Sequence, residues 1–380
     1  MRSRPRLAVL TLALACLHCD AKPAEPTKPA APAQPAAIAT TPPAPITPPT
    51  AAPATPTPPA TPPAKIEPTP PMPPRAFVFA RAIAKRDDIE LFAPVAGGEP
   101  RKLGLRVDPE GGGVGIGQSE PALSPDGQWL AYLQGGKLGV RRLDGGEPRR
   151  LTKHSPRNVS TLISGWSPDS QALLFHLGQV DDMDGTPMPK DVAPGFHLAR
   201  APDFEIEPVA GLERFDAWLP DSRHVIYQSE TGTPTKLMRA AIADGEGELL
   251  HETDAQFGFG QLTVFGEHIA YVRHTKVVRS KLDGSEPLDV TPDGPFAYYQ
   301  WPRFSPDGAR IAYTTRADVE VFDPATGARS TVIACERCRF GWDSPGSLLV
   351  LDNGALRRVT LDGAATPIAD DVAGFFLAGG

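Results

Sequence analysis

The feature that most constrains this chain is a turn that repeats. Ser124-Pro125-Asp126-Gly127 recurs as Ser167-Pro168-Asp169-Ser170, Leu219-Pro220-Asp221-Ser222 and Ser305-Pro306-Asp307-Gly308, with a degenerate copy at Ser344-Pro345-Gly346-Ser347 and Phe265-Gly266-Glu267-His268 in the remaining slot. The copies start at 124, 167, 219, 265, 305 and 344, so they are 43, 52, 46, 40 and 39 residues apart. A period near 40 to 45 residues is that of a four-stranded propeller blade. Proline sets φ at the second position of the turn, Asp suits the third, and Gly supplies the positive φ at the exit.

Each copy carries the same grammar after its turn. A short apolar strand follows (Trp129 to Leu133, Ala172 to Leu177, His224 to Gln228, His268 to Val272, Arg310 to Thr314, Leu348 to Asp352), then another that ends in Asp-Gly or its equivalent, as at Asp144-Gly145, Asp244-Gly245, Asp283-Gly284 and Asp362-Gly363. Asp-Gly is a strong hairpin signal. Ahead of the first full copy, Arg75 to Leu103 lacks an innermost strand, and after the last one Val372 to Ala378 is a strand with no partners of its own. Pairing the two closes the ring and removes two sheet edges. The expectation is an all-β chain, a single propeller over residues 75–380 with seven blades of about 44 residues each, six being the alternative.

The Ser-Pro-Asp-Gly turn, the Ile-Ala-Tyr strand (Ile269-Ala270-Tyr271, Ile311-Ala312-Tyr313, and Leu130-Ala131-Tyr132) and the Leu-Asp-Gly-Gly and Leu-Thr endings resemble the TolB-type propeller repeat. The same repeat builds the non-catalytic propeller of prolyl oligopeptidases. TolB proteins carry an N-terminal α/β domain, and here a proline-rich stretch stands in its place. The resemblance implies a binding or scaffold module of the bacterial cell envelope.

The chain holds 45 prolines, 21 of them in the 53 residues from Lys22 to Pro74. Such a stretch lacks the backbone donors and the φ freedom for helix or sheet, and reads as an extended, disordered tether reaching at most about 160 Å. Before it, Arg2, Arg4 and Arg6 precede a nine-residue apolar run, Leu7 to Ala15, too short to span a bilayer. Residues 1–15 are therefore expected to be a signal peptide. Ala13-Leu14-Ala15-Cys16 resembles a lipobox, which implies lipidation of Cys16 and a tether over residues 16–74, with the propeller facing the periplasm or the cell surface. An ordinary secreted protein is the alternative.

Residues 75–380 hold 32 Lys and Arg against 42 acids. So acidic a body is a poor partner for phosphate backbones, so nucleic acid is not expected to bind. No nucleophile elbow occurs, and the seven histidines of the propeller are scattered. The expectation is no enzyme and no cofactor. Metal binding has one weak candidate, Asp181, Asp182 and Asp184, in the insertion Gly178 to Pro194. Cys335 and Cys338 are spaced for a local disulfide in an oxidising compartment, with free thiols as the alternative.

Both turn types fall on one face, so the blade connectors fall on the other, where variation and function concentrate. Residues entering the innermost strands from that face are Arg157, Asn158, Arg214, Asp216, Tyr298, Tyr299, Trp301, Arg339 and Asp371. Mixed charge with aromatics suits an envelope protein partner, or a glycan or peptidoglycan-associated component. Rival readings are a lactonase- or lyase-like propeller with a metal at the channel mouth, and the regulatory propeller of a peptidase acting in trans.

Overall fold

The computed structural model describes residues 72, 74–82, 89–95, 98–107, 120–154, 159–179, 188–229, 234–253, 260–292, 299–336 and 338–379. All lie in one compact unit, Pro68–Gly380. The unit is a seven-bladed β-propeller, each blade a four-stranded antiparallel sheet, with no helix among the described residues.

Blade one places Val372–Leu377 innermost, then Phe77–Ala82, Ile89–Ala93 and Arg101–Val107. Blade two runs outward through Ala122–Leu123, Trp129–Gln134, Lys137–Arg142 and Arg149–Arg150, and blade three through Val159–Trp166, Ala172–Gln179, Gly195–Arg200 and Glu205–Pro208. Blade four comprises Ala217–Trp218, His224–Gln228, Thr235–Ala241 and Gly247–Thr253; blade five Gly260–Phe265, His268–Arg273, Lys276–Lys281 and Leu288–Asp289. Blade six comprises Gln300–Phe304, Ile311–Thr314, Asp318–Asp323 and Ala328–Ala334; blade seven Arg339–Ser344, Ser347–Asp352, Ala355–Thr360 and Ala365–Ala369. Innermost strands of neighbouring blades touch and surround a central channel. The C-terminal strand completes the N-terminal blade, as the sequence predicts, pairing Phe77 with Leu377 and Phe79 with Phe375.

The core lies between blades rather than in one centre, because each sheet buries both faces against its neighbours. The middle strands accordingly read as apolar runs: Leu130 to Leu133, Leu173 to Phe175, Ile311 to Tyr313 and Leu348 to Val350 are all buried.

The repeated turn is built by its own side chains. Ser124 Oγ donates to Asp126 Oδ1 at 2.5 Å and accepts from the Trp129 N–H at 2.9 Å, while Asp126 Oδ1 accepts from the Gln128 N–H at 3.0 Å. Ser167 with Asp169 and Ser305 with Asp307 repeat the arrangement. At the fourth position Gly127 and Gly308 have φ of 70°, and Ser170 and Ser222 hold φ of 63° and 58° despite their side chains. The serines act as clasps between blades. The Asp126 N–H donates to Ser170 Oγ and the Asp169 N–H to Ser222 Oγ, both at 2.9 Å. Ser170→Ala keeps the left-handed strain and loses the clasp, so it should cost about 1 kcal/mol. Ser170→Gly relieves the strain and should cost less. Denaturant midpoints of the two variants check the order.

Two copies depart from the pattern. In blade five Phe265 pairs directly with His268, and in blade seven Ser344 pairs with Ser347, so both turns are two-residue hairpins, Gly266-Glu267 and Pro345-Gly346. The shorter loop of blade seven moves Asp343 into the slot that Ser124, Ser167 and Ser305 fill elsewhere. There it is fully buried and takes Arg358 Nε at 2.5 Å.

Candidate functional site: the channel mouth

The innermost strands are locked to one another by tryptophans. Trp166 Nε1 donates to the Ala122 carbonyl at 3.0 Å, Trp218 Nε1 to the Gly165 carbonyl at 3.3 Å and Trp342 Nε1 to the Arg303 carbonyl at 2.9 Å. Each bond reaches from one blade to the blade before it. The acceptors share one slot, two residues before the turn residue that Ser124 exemplifies. Four blades fill that slot with a small residue, Ala122, Gly165, Ala217 and Gly341, whereas blade six puts Arg303 there.

Two residues earlier in sequence, toward the connector face, stand Glu120 in blade two, Trp301 in blade six and Arg339 in blade seven. Glu120 and Arg339 meet: Arg339 Nη2 lies 2.6 Å from Glu120 Oε2, with 47% and 53% of the side chains exposed. To get there Arg339 crosses blade one, where a Cβ on Gly374 would lie 3.5 Å from Arg339 Nη1.

Trp301 is the most exposed of the large hydrophobic side chains described, at 52%. It sits in a strand irregularity between Gln300 and Arg303, with φ of 56°. A bulky residue in the left-handed region carries about 1–3 kcal/mol of strain and persists only where its surroundings hold it. Here the Trp301 N–H donates to Gln261 Oε1 of blade five at 2.5 Å, and Gln261 is itself at φ of 50°.

Arg303 and Arg339 differ in company. The Arg303 guanidinium makes no hydrogen bond and no ion pair within the described residues, because the nearby acid, Glu120, is engaged by Arg339. Burial lowers the Arg303 pKa, the field of Glu120 partly restores it, and Arg339 lowers it further.

The remaining predicted residues divide by location. Asp216 leads into the innermost strand of blade four and accepts the Gln228 N–H through Oδ2 at 2.6 Å. Its side chain is exposed at the surface, yet the protein around it desolvates the carboxyl enough to push it up, against the Gln228 bond and the Arg214 charge. Arg214 is exposed beside it, and Asp371 is exposed at the entry to the closing strand with φ of 56°. Tyr299 serves packing, edge-on to Tyr313 at 5.7 Å, while the Tyr313 hydroxyl donates to Glu320 at 2.7 Å. Cys335 and Cys338 form a disulfide just before Arg339. Arg157, Asn158, Tyr298, Asp181, Asp182, Asp184 and Cys16 lie outside the described residues. Among the described residues no three His, Cys, Asp or Glu side chains converge as a metal site.

A raised carboxyl pKa means that the fold favours the protonated acid. The stabilisation from Asp216 is therefore present below the ordinary carboxylate range and is lost as pH rises through its folded pKa. Asp216→Asn keeps an acceptor for the Gln228 N–H and removes the titration. Its Tm should gain on the unsubstituted chain between pH 3 and pH 7, and a constant difference would contradict the assignment.

No protein-family model matches the chain, and no curated protein matches it in sequence. Solved structures do share its fold. A structure from a study of two prolyl endopeptidases is 13% identical with a TM-score of 0.54, covering 80% of this chain and 49% of that one. An oligogalacturonate lyase in complex with manganese is 12% identical with a TM-score of 0.51, covering 79% and 86%. TolB from Acinetobacter baumannii is 12% identical with a TM-score of 0.43, covering 80% and 82%. The chain spans about half the length of the peptidase it matches. At such identities the likeness is one of fold.

Proposed function

We propose that this chain is a non-catalytic protein-binding module of the bacterial cell envelope. In this reading residues 1–15 direct export, lipidated Cys16 anchors the chain to a membrane, and residues 16–74 hold the propeller away from it. The connector-side mouth of the channel is the recognition surface. The observation that carries the reading is Trp301, an exposed aromatic side chain kept at strained backbone by a neighbouring blade. An exposed, pre-positioned Trp contributes binding energy and little to folding.

Trp301→Gly tests this. Glycine relieves the left-handed strain as it removes the aromatic group, so the variant should unfold no more easily than the unsubstituted chain. Crosslinking in intact cells should nevertheless recover at least about tenfold less of the partner, the effect of losing a hot-spot tryptophan. Undiminished crosslinking would overturn the assignment of the mouth.

A further inference from the structure

We infer that the channel accepts a single carboxylate, carried on an otherwise uncharged peptide segment of the partner, which pairs with the Arg303 guanidinium. This rests on the channel-mouth reading above and adds the chemistry of what enters. The slot on the innermost strand that Arg303 occupies takes Ala or Gly in four other blades and Thr263 in blade five, so those blades pack without a long side chain there; blade one fills it with Phe376. The backbone of Arg303 does the same structural work as that of Ala122 and Gly165, accepting a tryptophan Nε1. Its side chain is therefore surplus to the fold.

That surplus side chain is also uncompensated. The Glu120 carboxylate that shares its surroundings is held by Arg339 at 2.6 Å, which leaves the three groups with one net positive charge and the Arg303 guanidinium without a side-chain partner among the described residues. Arg303 is half-buried, and desolvation by its surroundings disfavours a guanidinium with no acid of its own. A carboxylate offered in the plane of its fork would form two parallel bonds, the arrangement for which arginine is best suited.

The charge of the rest of the molecule limits the ligand. Residues 75–380 carry ten more acids than bases, so a polyanion is repelled on approach. One carboxylate on a neutral segment meets the local positive charge without that cost. Trp301, nearer the mouth, offers a flat apolar surface for the segment that brings it in.

The inference separates stability from binding. Arg303→Gln should raise Tm, because it removes an unpaired charge, and should reduce partner crosslinking in intact cells at least about tenfold; Arg303→Lys should retain part of it. A residue that only supports the fold would lower Tm, and that result would overturn the inference. In vitro the probes are hippurate, a small aromatic carboxylate, its amide hippuramide, and trigalacturonate, followed through the Trp301 indole N–H resonance assigned with Trp301→Phe. Hippurate should shift it saturably, hippuramide should not, and Arg303→Gln should abolish the shift. Equal responses to acid and amide, or tighter binding of trigalacturonate than of hippurate, would overturn the ligand class. If Trp301→Gly abolishes crosslinking while Arg303→Gln leaves it intact, the carboxylate inference fails and the channel-mouth reading stands. If neither variant affects crosslinking, both fail.

Discussion

Removal of residues 372–379 should abolish cooperative folding. The strand Val372–Leu377 is the innermost of blade one, and among the described residues its sheet partner is Phe77–Ala82. It closes the ring in two directions at once. Phe375 packs in the cluster shared with Leu349, Leu351 and Leu356 of blade seven, whereas Phe376 and Ala378 belong to the cluster with Leu123, Leu130 and Tyr132 of blade two. The Ala378 N–H donates to the Ala76 carbonyl at 2.9 Å, and Ala378 bridges onto Leu123. Truncating one buried Phe costs about 3–5 kcal/mol, and a whole domain is stable by only about 5–15 kcal/mol. Loss of both rings, the ladder and the closure therefore exceeds what the ring can lose. Urea titration of Phe375→Ala gives the graded version, a drop of about 3–5 kcal/mol. A truncated chain that still unfolds in one sharp transition would show that closure by this strand is dispensable.

Arg358→Met should be the most damaging single substitution of a charged residue. Asp343 is fully buried and has Arg358 Nε at 2.5 Å, Arg358 Nη2 at 3.4 Å and Ser347 Oγ at 3.2 Å as partners. Methionine fills a similar volume but leaves the carboxylate with one hydroxyl. Stranding one member of a buried pair costs about 3–5 kcal/mol. The reverse change, Asp343→Ser, restores the residue that stands in this slot in three other blades and leaves Arg358, which is 39% exposed, free to turn to solvent. It should cost less. The double variant Asp343→Ser with Arg358→Met should recover most of the loss, and its denaturant midpoint measures the coupling. A double variant no more stable than Arg358→Met alone would contradict the buried-charge explanation.

The architecture could be read in the sequence because a propeller blade repeats its turn chemistry. Ser-Pro-Asp-Gly fixes one hairpin through local hydrogen bonds that need no tertiary context, so its spacing measures the blades. Where the hairpin is shorter, the four-residue string misleads: in blade seven the string Ser344-Pro345-Gly346-Ser347 resembles the others, yet it is Asp343 that holds the turn-serine slot. Only the paired register shows this.

The site could be read only in part. Trp301 and Arg339 stand out in sequence because they enter an innermost strand, and each lies in the first two residues of one. Tyr299 has the same position in sequence but is spent on packing against Tyr313. Glu120 and Gln261 were not legible, since their roles depend on Arg339 and Trp301 arriving from distant blades. Arg303 did leave a signal: aligned on the turn, it is the one charged residue in a slot that holds Ala or Gly in four other blades. The alternation rule hid it, because the strand irregularity at Trp301 shifts the register between Gln300 and Arg303.

The central claim, that the channel mouth is the recognition surface, is tested most directly by a photoreactive benzoylphenylalanine placed in turn at Trp301 and at Leu249. Leu249 is 47% exposed on the outermost strand of blade four, so the two positions match in exposure and differ in location. Irradiation of intact cells should give a discrete crosslinked species from position 301 and none from position 249. The same species from 249, with none from 301, would place recognition on the rim and contradict the account.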